Sequence, residues 1–553
     1  IMGIPLFFKI LSEKYDSPIV DVCDMDGAES LFIDMNCLIH PCCRKLLDDE
    51  YNFYKKKEYE TKMFNEIENY LEKIIELTQP QFIYLAVDGV APCSKMNQQR
   101  LRRFKSILER KEMNTIKTSM GMPVNTEYWD TNCISPGTEF METLSTHIVS
   151  LILNHAMFKA RKVIYSNHLI PGEGEHKILA YIRDNELRGN SIIYGLDADL
   201  IMLGLACGKN DVYLLREAME FGKPTEAFLY LDIDKLKCSI LDDFKGRYTA
   251  FMRQEDIVDI INDYIFICFF LGNDFLPHIL GLDLRYQGLD IILDIYVATY
   301  TLLSANMVNN SSGINMDFLK VFLSKLKDKE PKFIDVLFKK RMQINRGFKV
   351  KESNEYDRRV ALLNNSPVIE MSEEKYVINT DKHMKSWKKR YYKKTIGSVD
   401  KGDIKTVCEN YIEGLVWVYR YYMTGCDSWH WKYRYNSGPL LSDMADYVAN
   451  MDTDINKIKF PKSEPVSPYV QLLSILPEES STLLPKEYHK MFHDSAISHL
   501  YPREYLLENL FKRYYWQCVP ILPYLDIKQV IRESNKIRNV HKLKVGEIFH
   551  KIK

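Results

Sequence analysis

Phe82-Ile83-Tyr84-Leu85-Ala86-Val87-Asp88 is an apolar run that stops on an acid. A run of this length, rich in β-branched and aromatic residues, reads as a strand buried on both faces. Working outward, Leu31-Phe32-Ile33, Val163-Ile164-Tyr165, Ile192-Ile193-Tyr194 and Val212-Tyr213-Leu214-Leu215 repeat the pattern. Between Ile33 and Phe82, the apolar residues Met63, Ile67, Tyr70, Leu71, Ile74 and Ile75 recur at helical spacing, which predicts a helix over Thr61–Leu77. Alternation of short strands with helices from about residue 30 to 300 predicts an α/β fold with a mostly parallel sheet flanked by helices.

The chain has 553 residues, more than one domain of ~100–200 residues needs. Hydrophobic residues make up 46% and charged residues 27%, which excludes a disordered, collagen-like or coiled-coil chain. The 74 Lys and Arg against 75 Asp and Glu give a formal net charge of -1, which excludes a uniformly basic binder. Twelve cysteines are scattered singly, without a disulfide rhythm or a secretory start. The longest apolar stretch, Ile265–Gly272, is far shorter than the ~20 residues that span a bilayer. These features predict a soluble intracellular protein, cytoplasmic or nuclear. Three parts are expected: an α/β core over 1–300, a helical segment with a solvated linker near 350–380 over 301–400, and a second ordered, mainly helical region over 401–553. In the last two, Phe318–Leu326 and Glu409–Met423 read as helices, and Tyr469–Pro477 and Cys518–Leu525 as Pro-punctuated apolar segments.

The acids fall at the ends of the strands. Asp34 and Asp88 close two of them, and Asp197 and Asp199 follow a third. Strand carboxyl ends gather along one edge of an open parallel sheet, where ligands bind, so these four acids converge. Glu173 and Glu175 stand in Pro171-Gly172-Glu173-Gly174-Glu175-His176, and Asp274 in Gly272-Asn273-Asp274-Phe275 after the apolar run. Seven gathered carboxylates repel unless cations are present, and oxygen-only ligation suits magnesium, two ions ~3.5–4 Å apart serving phosphodiester cleavage. Taken singly, each Asp is equally well a turn residue or helix N-cap.

Directly after Asp88, residues 95–117 hold eight basic side chains against two acids, a local net of +6. On a helix, Lys95, Gln99, Arg102 and Arg103 share one face, suited to clamping a phosphate. A solvated surface helix is the plainer alternative.

These residues belong to a longer series of matches. Met2-Gly3-Ile4-Pro5, Phe32-Ile33-Asp34-Met35-Asn36, Val87-Asp88-Gly89-Val90-Ala91-Pro92, Lys95-Met96-Asn97-Gln98-Gln99-Arg100, Pro171–Ile178, Leu196-Asp197-Ala198-Asp199-Leu200 and Gly272–Pro277 resemble the 5′→3′ exoribonucleases of the XRN type. Ser135–Met141, Trp387–Tyr392, Ser428-Trp429-His430-Trp431, Ser442-Asp443, Trp516-Gln517 and Leu522-Pro523-Tyr524 extend the likeness over nearly the whole chain. The resemblance implies a core like that of the PIN and flap nucleases and processive release of nucleoside 5′-monophosphates from single-stranded RNA bearing a 5′-monophosphate, in RNA decay. It further implies that Asp34, Asp88, Glu173, Glu175, Asp197, Asp199 and Asp274 bind two magnesium ions, with manganese as a substitute. Lys95, Gln99, Arg102 and Arg103 then hold the 5′-phosphate in a pocket too small for a triphosphate or cap. His40 stacks on the terminal base, opposite a Trp from the Trp429/Trp431 pair, with Trp429 favoured.

Other readings remain at this point. A structure-specific flap-type endonuclease shares an acid-lined core, and a catalytically inactive RNA-binding scaffold keeps the shape without the chemistry. Cys37, His40, Cys42 and Cys43 read weakly as a zinc cluster, since no second Cys pair supports it. The chain lacks the family's long carboxy-terminal extension, which reads as a catalytic core alone, and Ile1 precedes the family's Met-Gly start.

Overall fold

The computed structural model describes residues 7–15, 18–21, 27–47, 55–124, 128–220, 223–247, 257–309, 313–343, 352, 354–366, 368, 373–380, 386–538, 543, 546 and 547–551. The Met2-Gly3-Ile4-Pro5 motif lies outside them.

Eight strands form one sheet: β1 (Ile19–Asp21), β2 (Ser30–Asp34), β3 (Phe82–Ala86), β4 (Lys162–Ser166), β5 (Ser191–Tyr194), β6 (Val212–Glu220), β7 (Lys223–Asp232) and β8 (Phe549–Lys551). Their order is β1-β7-β6-β5-β2-β3-β4-β8. The central five, β6-β5-β2-β3-β4, are parallel, and both flanks are antiparallel. Ile33 pairs with Leu85 on one side and Tyr194 on the other, so the three chains leave the sheet at the same level. All five expected strands form. β1, β7 and β8 are not among the expected strands; β7 is the return strand of a hairpin with β6.

Successive side chains of a strand point to opposite faces, and both faces here are apolar. Leu31, Ile33, Ile83, Leu85 and Ile192 pack with Ile67, Leu71 and Ile74 of α2 (Lys56–Thr78) and with Leu144 and Ile148 of the helix Glu139–Asn154. On the other face Phe32, Tyr84, Ile164 and Ile193 meet Ile178 and Ile182 of a helix over Gly174–Asp184. That second cluster runs on through the helices Ile257–Cys268, Met316–Arg341 and Lys401–Met423. One continuous apolar core thus spans the expected borders at 300 and 400. In chain order the helices used below are α1 (Asn36–Leu47), α2, α3 (Cys93–Ser119), α4 (Glu139–Asn154), α5 (Gly174–Asp184), α6 (Asp199–Ala206), α7 (Ile257–Cys268), α8 (Met316–Arg341) and α9 (Lys401–Met423). Cys93, Met96 and Phe104 anchor α3 on a separate cluster with Val470, Leu473 and Leu500.

Of the solvated linker expected near 350–380, residues 355–365 form a helix with no buried side chain, while Glu374 is fully buried in an ion pair with Arg341. Most of the remainder lies outside the described residues. Among the described residues, no helix is long and apolar enough to cross a membrane.

A buried carboxylate ties α7 to the chain that follows it. Asp263 is 0% exposed and accepts hydrogen bonds from the Tyr296 hydroxyl and from the backbone N–H groups of Met307 (2.9 Å) and Val308. Burial pushes its carboxyl up to about 7. An amide in its place turns one acceptor into a donor facing an N–H. Asp263→Asn is therefore expected to cost about 2–3 kcal/mol in chemical denaturation, with the sheet's far-UV signature retained in the folded state.

Candidate active site

The site is assembled from the ends of β2, β3 and β5. Asp34 closes β2 and accepts from the Asn36 N–H (3.1 Å) and the Cys37 thiol (3.0 Å) at the start of α1. Asn36 also reaches across to β3: its amide donates to Asp88 Oδ2 (2.9 Å) and its carbonyl accepts from the Asp88 N–H (3.2 Å). Asp88 Oδ1 accepts from the Gly174 N–H (2.7 Å), the first residue of α5, where unsatisfied N–H groups favour an anion. Two backbone bonds, Gly89 N–H to Gly172 O (2.9 Å) and Gly172 N–H to Val90 O (2.8 Å), clasp the loop after β3 to the loop before α5. A Cβ on Gly89 would lie 1.7 Å from the Ile170 carbonyl oxygen, so only glycine permits this approach.

α9 presses the Glu173 carboxylate into place. Tyr421 donates to Glu173 Oε1 (3.0 Å), and the His176 ring stacks on Tyr421 at 3.8 Å. The Ile257–Leu271 segment ends at Gly272, whose left-handed φ of 90° turns the chain so that Asp274 returns to the acids. All seven expected acids feel one another's charge. Asp34, Asp88, Glu173, Glu175 and Asp197 line a cavity of about 820 Å³, with Asp199 and Asp274 buried behind them.

Burial, reinforced by like charges, pushes Asp34 up to about 7 and Asp197 up to about 6, and holds Glu175 and Asp199 well above the carboxylate range. Among the described residues, the cation in ion-pair contact with them is Lys95, 3% exposed, whose ammonium pairs with Glu173, with Asp274 at 2.8 Å and with Glu175 at 4.0 Å. Lys95 lines the same cavity as the rest of the expected set of four on α3, with its ammonium turned to the acids. A buried ammonium goes to the nearest buried carboxylates. Among the described residues no three Asp, Glu, His or Cys side chains are closed on a single point as a finished ligand sphere; the acids are drawn around Lys95 instead.

The other three members of the set line the same cavity. Arg103 is held from behind: Nε donates to Asn132 Oδ1 (3.1 Å) and Nη2 to Ser135 Oγ (2.7 Å), leaving buried Nη1 without a hydrogen-bond partner. The carbonyl oxygen of Gln99 is likewise buried and unpartnered, while Arg102 is exposed at the rim.

His40 lines the cavity, and burial pushes its imidazole down to about 3, so it is neutral at physiological pH. Trp429 and Trp431, the expected stacking pair, are not among the described residues that line it. Trp431 stacks on Trp417 at 5.1 Å, and the Trp429 carbonyl accepts from the Cys93 N–H (2.8 Å), anchoring the start of α3. The tryptophan that does reach the cavity is Trp516, which is 38% exposed. Trp516-Gln517 is one of the motifs that carry the resemblance, but sequence alone gives it no place at the site. The zinc alternative fails on direction: Cys42 and Cys43 pack in the core beneath the sheet, while Cys37 and His40 face the cavity.

A family model described as the XRN 5′-3′ exonuclease N-terminus matches residues 2–218, and one described as the Xrn1 helical domain matches residues 254–385 and 370–547. The chain is 29% identical to 5′-3′ exoribonuclease 1 of Schizosaccharomyces pombe, over 96% of this chain and 48% of that one. It is 30% identical to the human 5′-3′ exoribonuclease 1, over 99% and 34%, and 28% identical to the Gallus gallus 5′-3′ exoribonuclease 2, over 96% and 69%. It thus spans half or less of the first two relatives. With both family models matched in order on a parallel sheet whose acids gather at one edge, the chain belongs to the XRN family of 5′-3′ exonucleases.

Proposed function

We propose that this chain is a processive 5′→3′ exoribonuclease that hydrolyses 5′-monophosphorylated single-stranded RNA to nucleoside 5′-monophosphates, within RNA decay. The observation that carries the reading is that one cavity holds both an anion-binding cluster, Gln99, Arg102 and Arg103, and a wall of carboxylates. Few ligands other than a polyphosphodiester with a terminal phosphate call for both.

The acids fit hard divalent cations. Their donors are all oxygen, and Asp197 Oδ1 and Asp199 Oδ2 are buried without a hydrogen-bond partner. Asp34, Asp88, Glu173, Glu175, Asp197, Asp199 and Asp274 are the residues to hold two magnesium ions. When bound, these supply an activated water and charge stabilisation for the leaving oxygen.

The chain's own residues do the rest. Arg103, braced by Asn132 and Ser135, offers its free Nη1 to the 5′-phosphate, with Gln99 as a neutral partner. The same bracing closes the space behind the guanidinium, which favours a monophosphate over a longer 5′ group. His40, neutral, presents a ring to the terminal base. Stacking of this kind is indifferent to sequence. Breaking the bond between phosphorus and the first 3′ oxygen frees a nucleoside 5′-monophosphate and leaves a new 5′-phosphate on the next nucleotide. The product end has the chemistry of the starting end, and the same pocket takes it again, which supports processivity.

In magnesium, a 5′-monophosphorylated RNA is expected to disappear at least 100-fold faster than its 5′-triphosphorylated copy, with mononucleotides as the only product. Equal digestion of both, or release of oligonucleotides, rejects the reading. Asp199→Ala is expected to abolish turnover while circular dichroism and melting stay near wild type; retained activity removes Asp199 from the metal set.

Lys95 gives a test that needs no turnover. Its charge lowers the proton affinity of Glu173, Glu175, Asp197 and Asp199, which burial raises. Lys95→Gln leaves these acids less compensated, at a cost of about 3 kcal/mol near pH 7.5. Carboxyls raised in the folded state bind protons there that the unfolded chain does not, so the loss shrinks as pH falls toward 5. Millimolar magnesium at pH 7.5 is expected to restore most of it, read as thermal stability.

A further inference from the structure

Lys105 is a buried basic residue of the +6 segment that neither the acids nor the 5′-phosphate cluster uses. Two positions after Arg103, it points to the opposite side of α3, about 200° around the helix. There it is 6% exposed, and its Nζ lies 3.3 Å from the centre of the Tyr515 ring without any hydrogen-bond partner. Burial lowers the proton affinity of its ammonium. It lines the same cavity as the acids, in a second limb shared with Phe511, Lys512, Trp516 and Cys518.

Lys512 is the partner cation of this limb. Its ammonium is also disfavoured by burial, and the thiol of Cys518 feels both lysines. Glu109 and Glu112 lie near Lys105, and Glu508 and Asp283 near Lys512, without an ion pair to either ammonium among the described residues. Glu112 is taken by the Tyr515 hydroxyl (2.8 Å), and burial raises the proton affinity of Glu109. Among the described residues, neither lysine makes an ion pair within 4.0 Å. An ammonium this buried, over an aromatic face and with three donors unused, is incomplete without an oxyanion.

We propose that Lys105 and Lys512 form a second phosphate subsite, which holds a backbone phosphate of the RNA downstream of its 5′ end while Phe511 and Trp516 offer faces to the bases. The proposal rests on the reading that RNA threads this cavity. Arg103 and the 131–136 segment wall off the other side of α3, so the 5′ end lies there and the strand continues toward Lys105. An ammonium paired with a ring and a phosphate grips the backbone without reading sequence. The chain therefore distinguishes short from long RNA.

The test is the affinity of the full chain for 5′-monophosphorylated oligouridylates of two and six nucleotides, by competition in EDTA so that RNA stays intact. Repulsion by the acids acts on both lengths and cancels in their ratio. In Lys105→Gln and Lys512→Gln the six-nucleotide RNA is expected to lose at least 10-fold more affinity than the two-nucleotide one. The salt dependence for the longer RNA should flatten by about 0.7 in log–log slope per lost contact. Lys105→Arg should restore the ratio. Lys512→Gln, at a less buried position, keeps the test decisive if Lys105→Gln folds poorly. An equal loss at both lengths would assign the lysines to the 5′ end and overturn the proposal, as would no loss at either. If the wild type digests monophosphorylated RNA while the ratio ignores both lysines, the subsite fails and the nuclease reading stands. If the ratio depends on them but no magnesium-dependent digestion occurs, the nuclease reading fails and the subsite stands.

Discussion

Buried negative charge is the constraint on which the site depends. Parallel strands exit a sheet in one direction, so residues placed just past their ends must meet, and in this chain those residues are acids. Each carboxylate removed from water costs several kcal/mol unless paired, and seven together outnumber the ammonium groups near them. The proton affinities raised at Asp34 and Asp197 express that shortage of positive charge. The surrounding structure holds the acids in place against their repulsion. Asn36 straps two strand ends together, the Gly89–Gly172 clasp fixes the loops, and the Tyr421 hydroxyl pins Glu173 from the opposite side.

The second half of the chain is part of the site rather than an appendage. α9 brings Tyr421 against Glu173, and the 511–520 segment supplies one wall of the cavity. Arg100, buried within α3, donates to the Leu500 and Pro523 carbonyls at 2.7 Å each, so the helix that carries the phosphate-facing residues is bolted to the carboxy-terminal region. A cut between residues 300 and 400 would split a continuous core and expose both pieces.

The parts of this arrangement that follow from periodicity are legible in the sequence. Strands such as Phe82–Ala86 announce themselves by apolar runs, and the acids by standing where those runs stop. The face shared by Gln99, Arg102 and Arg103 follows from helical spacing. What spacing cannot supply is which way a side chain turns when two partners compete. Lys95 sits on the same helical face, yet it is drawn to Glu173 and Asp274, more than seventy positions away. Trp429 and Trp431 look like a stacking pair in a short motif, but one is absorbed by Trp417 and the other serves through its backbone. Trp516 stands in a quoted motif, yet its place at the cavity is set by tertiary packing in a segment without period.

The eighth strand bears on how the molecule comes to be folded. β8 pairs antiparallel with β4, and Lys551 Nζ donates to the Ile152 carbonyl, 399 positions earlier. Until residues near 550 have been synthesised, the edge of β4 has no partner, and an unpaired edge is a template for the strand of any neighbouring molecule. Contacts of such sequence separation close late and slowly. A nascent chain therefore carries this sheet edge open while the nearly four hundred residues between β4 and β8 are being made.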